Sequence, residues 1–340
     1  EAQRAGRLNA FHIIHLGFPE FSARYNPVGE FGRITEVASR IATQLPSAGN
    51  SAAFREFAWR FTNLVARALV GLGRRPDYQV IARYVTNIEP LLVDYYEWWL
   101  EQTVAGAWRD AVQSIETNLT AKSQSVSHRG RGHRALALVR YATEQQLYDP
   151  VADGLRSAFD YDKTYFDKLT ASLLPQLEKL TSGTTGELLA PNYTDVGDER
   201  PILDWLRVIR QNSIVYVGLD ALSDPEVASA VGNSMFADLT SIAGRLYKHG
   251  DAQGLPRALG HRRATCVVHA DEFAELVGEE FIPLLNKAGG AGIQVTAYTQ
   301  TTADIEAGIG HRAKAGQILG NFNTLLMLSL IHISEPTRLQ

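Results

Sequence analysis

The sequence predicts an α/β chain: a mostly parallel sheet with helices on both faces, interrupted by an all-α domain. Three observations carry this. Between Ser213 and Met327 short β-branched runs alternate with helical spacing, the pattern of a parallel sheet covered on both sides. From about 77 to 183 the apolar spacing is helical throughout. Between these regions lie Gly183-Thr184-Thr185-Gly186 and the polar run from Asn192 to Arg200, which read as a linker.

The elements follow in order. Phe11-His12-Ile13-Ile14-His15-Leu16 reads as a strand, and His12 and His15 fall three apart, so they face opposite sides and share no metal. Residues 33–45 and 52–72 carry apolar residues at helical spacing, the second run stopping at Gly71 and Gly73. In the helical stretch, the aromatic run Tyr95-Tyr96-Glu97-Trp98-Trp99 reads as helix-packing core, with a base-stacking platform as the alternative. Ser127 to Arg134 is a basic, glycine-rich turn, either a phosphate-contacting loop or a plain solvated turn. Beyond the linker come a strand at 213–219 and a helix capped by Asp224 and opened by Pro225. A strand at 265–269, one helix from Phe273 to about Lys287, a strand at 294–299, a helix near 313–319 and a strand at 323–327 complete the pattern.

Bulk properties are ordinary. A length of 340 residues suggests two domains or one with a large insertion, and 45% hydrophobic against 21% charged residues permits a sizeable core. The net charge of −4 provides no global field for nucleic acid, so any such contact is local. A single cysteine, Cys266, excludes a disulfide framework or cysteine metal cluster and reads as a small buried hydrophobe. No apolar run is long enough to span a bilayer. The chain opens on Glu1 without a signal peptide, the expectation for a fragment.

The chemistry concentrates where strands end. Cys266-Val267-Val268-His269-Ala270 is a buried strand that runs into Asp271-Glu272. Gln300 follows the next strand, 28 residues after Glu272. Ligands on parallel sheets sit beyond the carboxyl ends of strands, where these three residues fall. Asp271 is placed to hold Mg²⁺ through water, Glu272 to polarise a water for attack on a γ-phosphate, and Gln300 to sense that water or phosphate. An acid pair that only caps the helix opening at Phe273 is the simpler alternative. His269, two residues before Asp271, reads as a satisfied strand histidine rather than a metal ligand. Nowhere does the chain carry a G-x-x-x-x-G-K-[ST] phosphate loop.

Ser22-Ala23-Arg24-Tyr25-Asn26-Pro27 resembles the S-x-R-Y-N-P signature of type IV coupling proteins, the conjugative DNA-transfer ATPases of the TraD/TraG type. Ser213 to Leu222, Ala230-Val231-Gly232 and Asp238-Leu239 resemble the same family, closest to the coupling factors of integrative conjugative elements. His269-Ala270-Asp271-Glu272-Phe273 resembles its Walker B strand, and Ala297-Tyr298-Thr299-Gln300 its glutamine motif. The resemblance covers roughly residues 10–327. It implies a RecA-like P-loop ATPase sheet whose first strand and phosphate loop lie before residue 1, with motor parts at 1–73 and 191–327 and an all-α domain at 74–190. It implies ATP and Mg²⁺ as cofactors, and homo-hexamers that deliver relaxase-bound single-stranded DNA to a type IV secretion channel at the cytoplasmic face of the bacterial inner membrane. Some members place a trans-acting arginine before the glutamine strand. Here Asn286-Lys287-Ala288 stands in that place, so Lys287, or Arg312 from a neighbour, is the candidate cation at the nucleotide. Lacking the phosphate loop, this chain is expected to be inactive by itself.

Two other functions fit the sequence. One is a non-catalytic helical module, residues 77–183, that binds the relaxosome or another cargo protein. The other is a related ring ATPase that translocates double-stranded DNA, against which the Ser22–Pro27 signature weighs. The stretch Leu328 to Arg338 resembles the translation of a transposase adapter used in sequencing libraries, so 328–340 is expected to be a non-native tail.

Overall fold

The computed structural model of the chain describes residues 6–7, 10–45, 51–119, 130–161, 166, 170, 171, 173–250, 266–278 and 281–326. Two compact units emerge: Glu1–Ala23 with Leu203–Gln340, and Arg24–Ile202. The first is α/β and the second is helical.

The helical unit holds α1 (Thr35–Ala42), α2 (Ser51–Gly71), α3 (Tyr78–Thr86), α4 (Glu89–Val104), α5 (Trp108–Asn118), α6 (His133–Glu144), α7 (Pro150–Asp160), α8 (Leu173–Thr181) and α9 (Gly183–Leu189). Asp77 begins α3 by accepting from the Val80 N–H, and Asp149 begins α7 by accepting from Val151 and Ala152, with Pro150 following. Helix α2 packs on α1, α4 and α7, so the helices from Thr35 onward belong to this unit. The boundary expected at 73/74 therefore lies inside it. Gly183-Thr184-Thr185-Gly186, read as linker, instead opens α9.

The aromatic run is core. Tyr95, Tyr96 and Trp99 are buried, the Tyr96 hydroxyl donates to the Ala152 carbonyl, and the Tyr95 hydroxyl donates to Asp149. Desolvation pushes both phenols above their ordinary range. The basic turn also turns inward. Arg131 donates to the carbonyls of Phe159 and Tyr161 and lies over the Phe159 ring. Arg134 pairs with Glu97 and Glu116 and lies over Trp108. Both guanidiniums hold helices together instead of offering a phosphate loop; residues 127–129 lie outside the described set.

The Ser22–Pro27 signature is structural. Ser22 accepts from the His15 N–H and donates to a carbonyl, closing the turn after the first strand. Arg24, 5% exposed, reaches the carbonyls of Asn192, Asp198 and Arg200 and pairs with the Asp198 carboxylate at 3.2 Å. The Tyr25 N–H donates to Leu188, while Asn26 caps Val28 and donates to the Pro76 carbonyl. One hexapeptide thus anchors the 188–202 segment to the start of the helical unit.

The α/β unit contains β1 (Phe11–His15), α10 (Trp205–Arg210), β2 (Ile214–Gly218), α11 (Pro225–His249), β3 (Cys266–Ala270), α12 (Phe273–Leu276), α13 (Phe281–Lys287), β4 (Ile293–Ala297), α14 (Thr302–Ile309) and α15 (Arg312–Gly320). Among the described residues the strands form two parallel pairs, β1 with β2 and β3 with β4. The alternation predicted parallel strands, and the pairs are parallel, but they do not join into one sheet. The helix expected from Phe273 to Lys287 breaks after Leu276. Gly278 lies so close to Asn233 of α11 that a Cβ there would meet Asn233 Oδ1 at 2.1 Å, a contact that a helical side chain could not make. Asn321–Leu326 is not a strand; the rest of the span expected at 323–327 lies outside the described residues.

Candidate functional site

The site forms at the carboxyl edge of β3 and β4. In-register pairing runs from Cys266 opposite Ile293 to Ala270 opposite Ala297. The hydrogen bonds do not stop where the strands do. Tyr298 donates its N–H to the Ala270 carbonyl, and its own carbonyl accepts from Phe273, both at 2.9 Å. These two bonds straddle Asp271-Glu272 and tie that turn to the segment leading to Gln300. Strand β4 ends at Ala297, so Gln300 stands three residues past the strand rather than at its tip.

Glu272 adopts a left-handed backbone, φ 47° and ψ 44°, which costs a non-glycine residue about 1 kcal/mol. Its N–H donates to Asp271 Oδ1 at 3.0 Å. It precedes α12 without capping that helix through its side chain. The simpler alternative, an acid pair serving only to cap, therefore loses its geometric support. Asp271, Glu272 and Gln300 are all exposed, with their functional groups available beyond the strand ends.

Second-layer contacts fix the loop after β4. Thr301 caps α14 in a reciprocal box with Asp304. Helix α14 then lies against α12 at Gly308, where a Cβ would come within 2.3 Å of the Ala274 carbonyl oxygen. Only glycine permits that approach, which holds the last turn of α14 against α12. Tyr298 and Gly308 are the positioning residues that sequence reasoning missed. A glycine inside a short helix was the available signal for Gly308; Tyr298 lay within the Ala297–Gln300 motif, but its role there is carried by backbone hydrogen bonds that the residue type does not signal.

The histidine reading holds its geometry: the His269 ring stacks on Tyr298, with Nδ1 and the hydroxyl 3.0 Å apart. Cys266 is partly buried and desolvation raises its thiol pKa. Among the described residues no group of three or more His, Cys, Asp or Glu side chains converges for a metal. Mg²⁺ nonetheless needs few protein ligands, because it keeps most of its waters and binds through one or two carboxylates. The exposed Asp271 fits that demand. For the phosphates of ATP the 340 residues hold no glycine-rich loop, so the residues present fit the metal and water side of a nucleotide site but not its phosphate cradle.

The two candidate cations sit in different places. Lys287 precedes the turn leading into β4, at the amino edge of the strands and roughly 16 Å from the carboxyl edge. Arg312 opens α15 with its side chain 90% exposed and Glu306 at 3.9 Å.

A parallel strand pair with acids and an amide beyond its carboxyl edge has them where ligands of parallel sheets bind. Residues 265–337 match the family described as the TraM recognition site of TraD and TraG. That description names TraD and TraG, the same group that the motifs above resemble. The match extends into the stretch read above as adapter-derived, which lies outside the described residues. Among solved structures, the bacterial conjugative coupling protein TrwBdeltaN70, in its unbound monoclinic form, is similar at a TM-score of 0.42 and 13% identity. That alignment covers 93% of this chain and 56% of that one, so the chain spans little more than half of the other's length. No curated protein matches.

Proposed function

We propose that the chain is the catalytic-acid part of a RecA-like conjugative ATPase that delivers relaxase-bound single-stranded DNA to a type IV secretion channel. The observation that carries the reading is the hydrogen-bonded bridge through Tyr298, which brings Asp271, Glu272 and Gln300 to one edge within a segment of TraD/TraG type. Bound ATP supplies the phosphoryl group whose hydrolysis drives transport, with Mg²⁺ offsetting its charge. Asp271 holds the metal through its waters. The Glu272 carboxylate accepts a proton from the attacking water, and the Gln300 amide orients that water and reports its loss. The phosphate loop comes from outside these 340 residues.

A neighbouring subunit of a homo-hexamer completes the site. Arg312 is the better placed candidate, being exposed and only loosely held. The family's description points to a TraM-type relaxosome protein as a partner for residues 265–337. The helical unit faces the cargo, and the assembly works at the cytoplasmic face of the inner membrane. Among the described residues no helix is long and apolar enough to cross a membrane.

A mating assay tests this reading. Replacing the parent protein by its Glu272→Gln form is expected to lower DNA transfer about 100-fold or more, the usual contribution of a general base. Transfer at the wild-type level would refute it.

A further inference from the structure

The opposite edge of β3 and β4 has a contrasting character. Helix α11 ends there with Tyr247, Lys248 and His249, all exposed, Tyr247 by 72%. Helix α13 ends there with the exposed Lys287, and the turn Ala288–Ala291 leads back into β4. Helices α11 and α13 pack together, and α11 also packs on that turn. The Tyr247 ring lies over Gly290, where an added Cβ would sit 3.5 Å from Cε2. Tyrosine and lysines from two separate helices therefore form one surface.

Its charge is of one sign. From Thr240 to His249 and from Phe281 to Gly292 there is no aspartate or glutamate, while Arg245, Lys248 and Lys287 are cationic. Helix α10, which packs against α11, adds Arg207 and Arg210 and no acid within its bounds. Acids collect instead towards the carboxyl edge, as Asp271, Glu272, Glu275, Asp304 and Glu306. A chain of net charge −4 thus separates its signs along about 16 Å of strand.

We propose that Tyr247, Lys248, His249 and Lys287 form a binding surface for single-stranded nucleic acid. The two lysines neutralise successive phosphates, and the exposed tyrosine ring offers a face on which one base stacks. An acidic protein would match the charge but would leave the projecting aromatic ring without a partner of its own kind. A bare duplex would match the charge but has its bases already stacked. This assignment rests on the reading of the chain as a DNA-handling protein and gives it a DNA contact. It also gives Lys287 a role at the edge where the structure puts it.

The test is fluorescence anisotropy of the 340-residue chain with a labelled 20-mer of thymidylate and with a duplex of the same length, across a salt series. Tyr247→Ala is expected to weaken binding of the single strand about fivefold or more, with Tyr247→Phe near wild type. Lys248→Ala with Lys287→Ala should lower the slope of log affinity against log salt by about 1.4, the share of two phosphates on a single strand. The paired Lys→Arg forms should keep the wild-type slope, and Arg140→Ala in the helical unit should change nothing. Absence of single-strand binding at low salt would overturn the proposal. So would a preference for duplex, an unaltered slope in the double alanine form, or loss of binding in the arginine forms. None of these readouts depends on ATP turnover, so failure here and failure of the Glu272 reading are distinguishable.

Discussion

Glu272 combines a strained backbone with the chemistry assigned to it. A left-handed glutamate persists only where its surroundings hold it, here the Asp271 carboxylate below and the Phe273 to Tyr298 bond above. Glu272→Gly is therefore expected to raise the stability of the α/β unit by about 1 kcal/mol while removing the catalytic carboxylate. A chemical denaturation midpoint that falls would contradict the strain. At Arg24 the expectation runs the other way. Arg24→Ala leaves three buried carbonyls without their donor and the Asp198 carboxylate with Arg200 alone, and we expect a loss of roughly 3 kcal/mol in the helical unit. Its partner Asp198 supplies a pH signature. The Arg200 hydrogen bond, with help from Arg24, holds that carboxyl down at about 2. A depressed carboxylate contributes its stability in full above the unfolded value of about 3.9 and loses it as pH falls towards 2. The melting temperature should fall across that window by less in Asp198→Asn than in the wild type, and equal falls would remove the assignment.

At the scale of elements, Gly308 makes the sharpest prediction. A methyl group there collides with the Ala274 carbonyl, so Gly308→Ala should lift the last turn of α14 from α12 and lower the melting temperature. Hydrogen exchange at Tyr298 and Phe273 reads the displacement, and unaltered protection would sink it. The same elements show what the sequence could reveal. Strands β1 to β4 were readable because β-branched runs bounded by turns have one outcome in a parallel pair. The position of Asp271 and Glu272 just beyond a strand end was readable from the apolar run before them, whereas Gln300 lies three residues past its strand. The break after Leu276 was not, since it depends on Asn233 pressing on Gly278 from a helix 45 residues earlier in the chain. The inward turn of Arg131 and Arg134 was equally hidden. A basic, glycine-rich stretch looks solvated until Phe159, Glu97 and Glu116 are placed around it.

Across the whole molecule, each unit carries a separate task. The helical unit is closed around its own aromatic core, and its signature hexapeptide acts as an anchor instead of a chemical site. The α/β unit is less complete. Ile214 and Tyr216 on one strand pair and Val267 on the other are each more than half exposed, at 51%, 55% and 52%. Exposed apolar strand residues invite association, so the chain made alone is expected to self-associate, and a monodisperse sample with a cooperative melt would contradict that. Length left open two domains or one with a large insertion, and helical spacing alone could not assign α1 and α2, which have the same spacing whether they pack on strands or on helices. The central claim concerns the acids at the carboxyl edge, and steady-state ATP hydrolysis by the parent protein tests it most directly. The account predicts that Glu272→Gln lowers turnover about 100-fold or more with nucleotide binding retained; turnover within a few-fold of wild type would contradict it.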